Sequence, residues 1–93
     1  MLDIRVADKE VFLKGIFDAS QVATAETVFD DVNESMIINF SELEYISSAG
    51  LSVLLRTQKR LSSDGQELTL RNLSNHISDV FRFAGFDLIF KIE

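Results

Sequence analysis

Apolar and polar residues alternate along the first part of the chain. Leu2, Ile4 and Val6 recur at every second position, as do Val11 and Leu13 in the run EVFLKGIF that follows. A period of two is typical of a strand with one buried face, and the short segment ADKE between the two runs predicts a hairpin. Gly15 lies inside the second run, where it predicts a bulge or the close approach of another backbone segment.

A helical period replaces the alternation from residue 18 onwards. Asp18 has the character of an N-cap, and Gln21 follows three residues later in a capping-box arrangement. The apolar positions that come next recur at helical spacing on one face: Val22, Ala25, Phe29 and Val32. The run from Met36 to Ile38 is continuously apolar, which predicts a short strand buried on both faces at the centre of a sheet.

A second helix is predicted to begin near Ser48 and to end at the segment SSDG, where Gly65 is a C-terminal signal. One face of its helical wheel collects the residues expected in the core: Leu51, Leu54, Leu55, Gln58 and Leu61. The opposite side collects Val53, Arg56 and Arg60. We therefore expect these three side chains to point away from the core.

The last third of the chain repeats the order of strand and helix. ELTLRNL predicts a strand with Leu68 and Leu70 on one face, and Ser74 or Asn75 is expected to cap a third helix that ends at Gly85. The apolar face of this helix is predicted to contain Ile77, Val80, Phe81 and Ala84. The final segment, DLIFKI, predicts a strand or an extended stretch.

The predicted order of elements is β-β-α-β-α-β-α-β, which indicates an α/β fold. Strands that alternate with helices pair in parallel, so we expect a small, mixed, mostly parallel sheet of about four or five strands with about three helices. The helices are expected to cover one or both faces, and the first two strands to form an antiparallel hairpin. A chain of 93 residues suffices for one core, so residues 1–93 are predicted to form a single domain.

Composition narrows the classes of partner and the compartment. The net charge is −6, and an acidic domain repels phosphate backbones, so nucleic acid is not an expected partner. Cysteine is absent, which excludes disulfides and fits a reducing compartment. No apolar run approaches the roughly 20 residues that span a bilayer, and the N-terminus lacks the pattern of a signal peptide. We expect a cytoplasmic protein without direct membrane insertion.

The residue types needed for catalysis or metal binding are not assembled in this sequence. His76 is the only histidine and no cysteine accompanies it, so we predict no metal site. SSAGLS contains one glycine and no nearby lysine, unlike a phosphate-binding loop. Ser47 or Ser48 lies at a strand-to-helix turn, as in a nucleophile elbow, but Ile46 occupies one of the positions where that motif requires glycine. We predict no enzyme activity and no cofactor.

The two serines at positions 47 and 48 have two interpretations. A serine at a helix N-cap satisfies free backbone amides and is worth about 1 kcal/mol. One serine suffices for that purpose, and the stretch EYISSAGLSVLL contains two in succession. The second interpretation is a hydroxyl that a kinase modifies.

The segment IINFSELEYISSAGLSVLLRTQKRL resembles the signature of STAS domains, the family of bacterial anti-sigma factor antagonists. In that family an apolar strand ends in aspartate or asparagine, and a short loop, an apolar pair and a serine-glycine-leucine turn follow. The residues that match this pattern are Asn39, Leu43, Ile46, Ser48, Gly50, Leu51 and Leu55. LKGIFDAS is similar to the family's stretch around Gly15 and Asp18, and VFRFAGFDLIFKI to its C-terminal helix and tail, so the resemblance covers essentially the whole chain.

The resemblance implies a partner switch that is controlled by phosphorylation. The unphosphorylated protein would bind an anti-sigma factor that is also a serine kinase, phosphorylation of Ser48 would release it, and a metal-dependent serine phosphatase would restore the first state. Loops after parallel strands gather at one edge of a sheet, so Asp18 and Ser41 are expected beside Ser48. The expected partner-binding residues are Asp18, Asn39, Ser41, Ser47, Ser48, Gly50, Val53 and Arg56.

The sequence departs from the family pattern on both sides of the expected acceptor. Ser47 stands where the family often has aspartate, and Ala49 stands where serine or threonine is common. Ser47 is therefore an alternative acceptor. Some relatives use the same fold without phosphorylation, as subunits of lipid-transport ABC systems or as transporter tails, so a scaffold subunit of a membrane transport or signalling complex is the alternative function.

Overall fold

A computed structural model describes all residues from 1 to 93, and it contains one sheet of five strands. The strands are β1 (Leu2–Ala7), β2 (Glu10–Phe17), β3 (Met36–Ile46), β4 (Leu68–Arg71) and β5 (Lys91–Ile92). The α-helices are α1 (Val22–Phe29), α2 (Ser48–Ser62) and α3 (Asn75–Phe83). Short 3-10 turns cover Ala19–Gln21 and Phe86–Leu88. The observed order of elements confirms the predicted α/β fold.

The strands lie in the sheet in their sequence order, with β1 antiparallel to β2 and every other neighbouring pair parallel. The three helical connections all step in the same direction across the sheet. Because such crossovers are right-handed, the helices lie on one face. Val11, Ile38 and Leu70 are aligned across three strands on that face and are fully buried. Arg5, Phe12, Asn39 and Arg71 are aligned on the opposite face, which we call the open face.

The core between the sheet and the helices contains 21 buried hydrophobic residues, all but Val32 and Phe90 from the three α-helices and the first four strands. Phe81 of α3 lies at the centre of its aromatic part, with ring centroids 5.7 Å from those of both Phe40 and Phe90 in edge-to-face geometry. Edge-to-face packing of this kind adds about 0.5–1.5 kcal/mol per pair beyond area burial. The packing of these rings holds α3 against the part of the sheet that contains β3, β4 and β5.

β3 is much longer than the predicted strand at Met36–Ile38: it continues for 11 residues, to Ile46. Its pairing with β2 shifts register twice, because β3 has one extra residue between Asn39 and Glu42 and another between Leu43 and Tyr45. Each bulge changes which face the following side chain occupies. The buried residues in this half of the strand, Phe40, Leu43 and Ile46, are therefore three positions apart, and the period of two that identifies a strand is absent.

The glycine prediction in β2 is confirmed in both of its forms. Gly15 has φ +99° and lies beside a register shift with β3. A methyl group at this position would lie 2.3 Å from the carbonyl oxygen of Met1. No side chain fits there, because it would point at the backbone of Met1, which is hydrogen-bonded to β2 through Ile16 N–H.

Three local predictions need correction. The amide side chain of Gln21 accepts a hydrogen bond from the backbone N–H of Leu2 at 3.1 Å, so it tethers β1 rather than completing a capping box with Asp18. Ala84 is exposed, because α3 ends at Phe83 and Gly85 turns the chain with φ +75°. The segment DLIFKI forms a 3-10 turn followed by only two residues of strand. The predicted cap Ser74 is confirmed, since its hydroxyl accepts from Ile77 N–H at 3.2 Å.

Candidate functional site

The carboxyl ends of β2 and β3 meet at one edge of the sheet, and the predicted switch residues follow them directly. Phe17 pairs with Ile46 at the ends of the two strands, and Ser47 N–H donates to the Phe17 carbonyl oxygen at 2.9 Å. Asp18 and Ser47 are thus the first residues beyond two hydrogen-bonded neighbours. The 3-10 turn Ala19–Gln21 contacts α2. The fold therefore brings Asp18, Ser47 and Ser48 together, as expected from parallel strands.

The two adjacent serines have different structural environments. Ser47 is the N-cap of α2: its backbone is extended, and its hydroxyl accepts from Gly50 N–H at 3.3 Å. Ser48 is the first helical residue, is exposed to solvent, and its hydroxyl has no hydrogen-bond partner within the protein. The amides of Ser48 and Ala49 also lack a protein acceptor, as first-turn amides do. Ser47 is therefore the residue that caps α2, and the Ser48 hydroxyl is free of hydrogen bonds within the protein.

Gly50 fixes the distance between α2 and the ends of the strands. A methyl group at this residue would lie 2.9 Å from Cγ1 of Ile46 and 2.9 Å from the carbonyl oxygen of Phe17. The same carbonyl accepts the hydrogen bond from Ser47 N–H. Gly50 is itself buried, so its place in the site is to let the helix start lie against the strand ends.

Asp18 is held in one orientation by the residue two positions later. Its carboxylate accepts from Ser20 N–H at 3.0 Å and from the Ser20 hydroxyl at 2.5 Å. The hydroxyl bond is the main reason that the pKa of Asp18 is lowered from its ordinary value, with the backbone bond adding to it. Asp18 is therefore a fixed negative charge at neutral pH, beside a helix start whose first turn contains no acidic residue.

The prediction that Val53 faces a partner is wrong: the side chain is only 2% exposed. α2 packs against α1 as well as against the sheet, so it buries two sides rather than one. Arg56 is exposed as predicted and forms an ion pair with Glu26 of α1 at 2.6 Å. Arg60 donates to the carbonyl oxygens of Phe29 and Val32 at 2.8 Å each, so it ties α2 to the end of α1 and to the loop that follows it.

Asn39 and Ser41 do not reach the site, because β3 continues past both of them. Asn39 is 8% exposed on the open face, where its side chain donates to Glu10 at 2.8 Å and accepts from Ser41 N–H at 2.9 Å. Arg71 bonds the same Glu10 carboxylate at 3.4 Å. Ser41 is exposed but lies five residues before the end of β3, about 13 Å along the strand once the bulge between Leu43 and Tyr45 is taken into account. The expectation that Ser41 follows a strand end is therefore wrong.

Two apolar side chains beside the serines were not identified from the sequence as part of a site. Ile16 and Tyr45 pair with each other one position before the ends of β2 and β3, and they are the last residues of these strands on the open face. They are 38% and 45% exposed. The alternation of β2 already contains the signal for Ile16, since Phe17 is buried and its neighbour must face the other way. Tyr45 lacked such a signal because the bulges in β3 hide the face on which it lies.

Comparison with known proteins identifies the family. A family model described as "Mlab, STAS domain" matches residues 2–91. The chain belongs to the STAS domain family. This STAS domain is 32% identical over 84 residues to BtrV of Bordetella bronchiseptica, a protein named provisionally as an anti-sigma factor antagonist. The match covers 86% of this chain and 72% of BtrV.

Solved structures share the fold across the whole chain. The anti-sigma factor antagonist SpoIIAA in its unphosphorylated form has a TM-score of 0.68 and 20% identity, covering 100% of this chain and 87% of that one. SpoIIAA of Bacillus in its phosphorylated form gives a TM-score of 0.64 at 20% identity, with coverage of 100% and 91%. A sulfate transporter family protein from Wolinella succinogenes gives a TM-score of 0.77 at 16% identity, with coverage of 95% and 80%. The fold is therefore that of anti-sigma factor antagonists and is also found in a transporter family.

Two further features of this STAS domain concern metals and membranes. Its histidine and acidic side chains form no group of three or more that could hold a metal ion. None of its helices has both the length and the apolar character required to cross a membrane.

Proposed function

We propose that this STAS domain is an anti-sigma factor antagonist that acts as a phosphorylation-controlled partner switch, with Ser48 as the acceptor. The observation that carries the proposal is the division between the two serines. The Ser47 hydroxyl is engaged as the cap of α2, whereas the Ser48 hydroxyl is exposed and unbonded. A kinase can reach Ser48 without breaking a hydrogen bond of the fold.

A phosphate on Ser48 is compatible with the folded domain but strongly lowers its affinity for a partner. A phosphoserine adds about −1.5 to −2 charges, and a helix N-terminus stabilises a negative group by about 0.3–1 kcal/mol. A docked partner would instead cover that charge. An uncompensated buried charge costs several kcal/mol, and about 2.7 kcal/mol already weakens binding a hundredfold. The modification therefore leaves the domain folded and releases its partner.

The partner of the unphosphorylated form is an anti-sigma factor with serine kinase activity, and a metal-dependent serine phosphatase resets the switch. The proposed compartment is the cytoplasm, where these partners act. The similarity to BtrV supports this proposal from the sequence, and the similarity to SpoIIAA supports the fold on which such a switch operates. The proposed docking surface contains Asp18, Ser48, Ile16 and Tyr45, with Arg56 at its rim.

Tyr45 is expected to be an anchor of that surface, because a half-exposed aromatic side chain beside the switch residue loses its water on docking. Tyr45→Ala should weaken partner binding at least tenfold, measured by calorimetry or surface plasmon resonance with the captured partner. Phe83→Ala is the matched control, since Phe83 is 83% exposed on α3, away from the strand ends. Equal losses in the two variants, or none in Tyr45→Ala, would remove Tyr45 from the interface.

The acceptor can be identified by mass spectrometry of the protein purified from its native cells with phosphatases inhibited. We expect one phosphoryl group that maps to residue 48 and disappears in Ser48→Ala. Ser47→Asn is the matched control, because asparagine also caps helices but has no hydroxyl that a kinase could phosphorylate. It should keep the phosphoryl group. Modification that persists in Ser48→Ala and vanishes in Ser47→Asn would transfer the acceptor role to Ser47.

A scaffold subunit without phosphorylation is the alternative function, and one observation favours it. The residue before Ser48 is a capping serine rather than the acidic residue common in the family, so this chain lacks part of the pattern that accompanies phosphorylation. The fold does not separate the two functions, because it also occurs in a transporter family protein. Absence of the phosphoryl group under all growth conditions, with partners retained by Ser48→Asp, would favour the scaffold.

A further inference from the structure

β1 forms one border of the sheet, and its outer side has no neighbouring strand. Two hydrogen bonds show which of its backbone groups face outward. The Met1 carbonyl accepts from Ile16 of β2 at 2.9 Å, whereas Leu2 N–H donates away from β2 to the Gln21 side chain. Backbone groups alternate along a strand in an antiparallel pair. The N–H and C=O groups of Ile4 and Val6 therefore point outward as well.

Beyond Leu2 N–H, which the Gln21 side chain covers, this edge lacks three common protections against pairing. Edge strands are commonly blunted by lysine, proline or a bulge, and β1 has none of these. Val6 is 51% exposed and lines a groove of about 530 Å³ with Val28, Val32 and Met36. The edge thus exposes both free hydrogen-bonding groups and apolar surface.

The two charged side chains inside β1 select one pairing of the strand with a second copy of itself. Asp3 and Arg5 both lie on the open face, on either side of Ile4. An antiparallel pairing centred on Ile4 places Asp3 opposite Arg5 of the second copy, twice by symmetry. Shifting the register by two residues in one direction places Asp3 opposite Asp3, and in the other direction Arg5 opposite Arg5. Like charges directly opposite each other destabilise a pair of strands.

We propose that the β1 edge is a self-association surface, on which two copies pair their β1 strands antiparallel about Ile4. The two Ile4 residues exchange backbone hydrogen bonds, and each Val6 N–H donates to the Leu2 carbonyl of the other copy. The exposed Val6 side chain lies opposite Leu2 of the second copy, on the helix side of the sheet, and is partly covered there. The two sheets become one, and the same surface patch serves both copies, as in other two-fold interfaces.

A charge exchange tests this pairing. Sedimentation equilibrium over a range from micromolar to about 1 mM should show a monomer–dimer equilibrium for the wild-type protein. Arg5→Asp and Asp3→Arg should each weaken the dimer at least tenfold, because each places like charges opposite each other. The double variant Asp3→Arg/Arg5→Asp restores opposite charges and should return the dissociation constant to within about threefold of the wild-type value. Circular dichroism and thermal unfolding of every variant establish that it is folded.

Amide hydrogen exchange provides an independent measurement that does not depend on the variants. The amides of Ile4 and Val6 should exchange quickly at low protein concentration and slowly at high concentration, whereas those of Asp3 and Arg5 are bonded to β2 and should not change. A protein that is monomeric at 1 mM would overturn the proposal. A dimer that neither single charge reversal weakens relative to the wild type, or whose Ile4 and Val6 amides stay unprotected, would overturn it too.

Discussion

Ser48→Asp is expected to weaken binding of the switch partner by about a hundredfold or more while leaving the domain folded. The aspartate occupies the first turn of α2, where the helix dipole favours a negative side chain by about 0.3–1 kcal/mol. The thermal midpoint should therefore be unchanged or slightly raised. The partner, in contrast, has to cover a carboxylate that lies beside the negative charge of Asp18, at a cost of several kcal/mol.

The measurement is a titration of the wild-type and variant domains against the partner that the wild-type domain captures from native cells. Ser62→Asp is the control, since Ser62 is exposed at the other end of the same helix and its side chain makes no hydrogen bond. It adds the same charge to the protein and should bind like the wild type. Equal affinity of Ser48→Asp and wild type would contradict the phosphorylation switch and favour the scaffold function.

Gly50→Ala is expected to destabilise the domain by about 1–2 kcal/mol, which is the upper part of the usual cost of about 1–3 kcal/mol for an added methyl group in a packed interior, less a gain in helix propensity. The methyl group would lie within 3.0 Å of two side-chain carbons and of the Phe17 carbonyl oxygen, and the carbonyl belongs to the sheet and cannot move freely. Alanine favours a helix interior over glycine by about 1 kcal/mol, so the measured loss is what remains after this gain. A domain of this size should lose roughly 5–15 °C in its thermal midpoint.

Urea unfolding of Gly50→Ala beside Ser48→Ala tests this result. Ser48 is exposed in the same helical turn, and its substitution should change the free energy of unfolding by no more than about 0.5 kcal/mol. A Gly50→Ala domain as stable as the wild type would show that α2 can lift from the strand ends without cost. In that case Gly50 would not fix the position of Ser48.

The sequence predicted those parts of the fold in which one local pattern decides the structure. The hairpin of β1 and β2 is confirmed because its alternation is unbroken on the core side, and the helix caps at positions 47 and 74 follow from hydroxyl chemistry. β3 was underestimated because its two bulges remove the period of two. Tertiary packing, rather than local pattern, decides the burial of Val53, since the contact of α1 with α2 cannot be read from the wheel of either helix.

The candidate site was likewise predicted only where a local pattern or the family signature decides the position of a residue. The proximity of Asp18, Ser47 and Ser48 follows from the ends of parallel strands and from the family signature, and the structure contains it. Asn39 and Ser41 were placed wrongly because the end of β3 was placed wrongly. Tyr45 was missed for the same reason, since the face that it occupies depends on the number of residues between Asn39 and the end of the strand. Ile16 was missed although the alternation of β2 indicates the face on which it lies.

The number of residues between Asn39 and the end of β3 also determines which side chains are presented at the site. With the two bulges of β3 in place, Tyr45 faces outward and Ile46 faces the core at the point where α2 begins. A chain one residue shorter between Asn39 and Ile46 would exchange the two faces, because side chains alternate along a strand. It would keep every residue of the signature from Tyr45 onwards and still turn the aromatic ring inward. The spacing in this strand, as much as the serines themselves, therefore specifies what a partner meets.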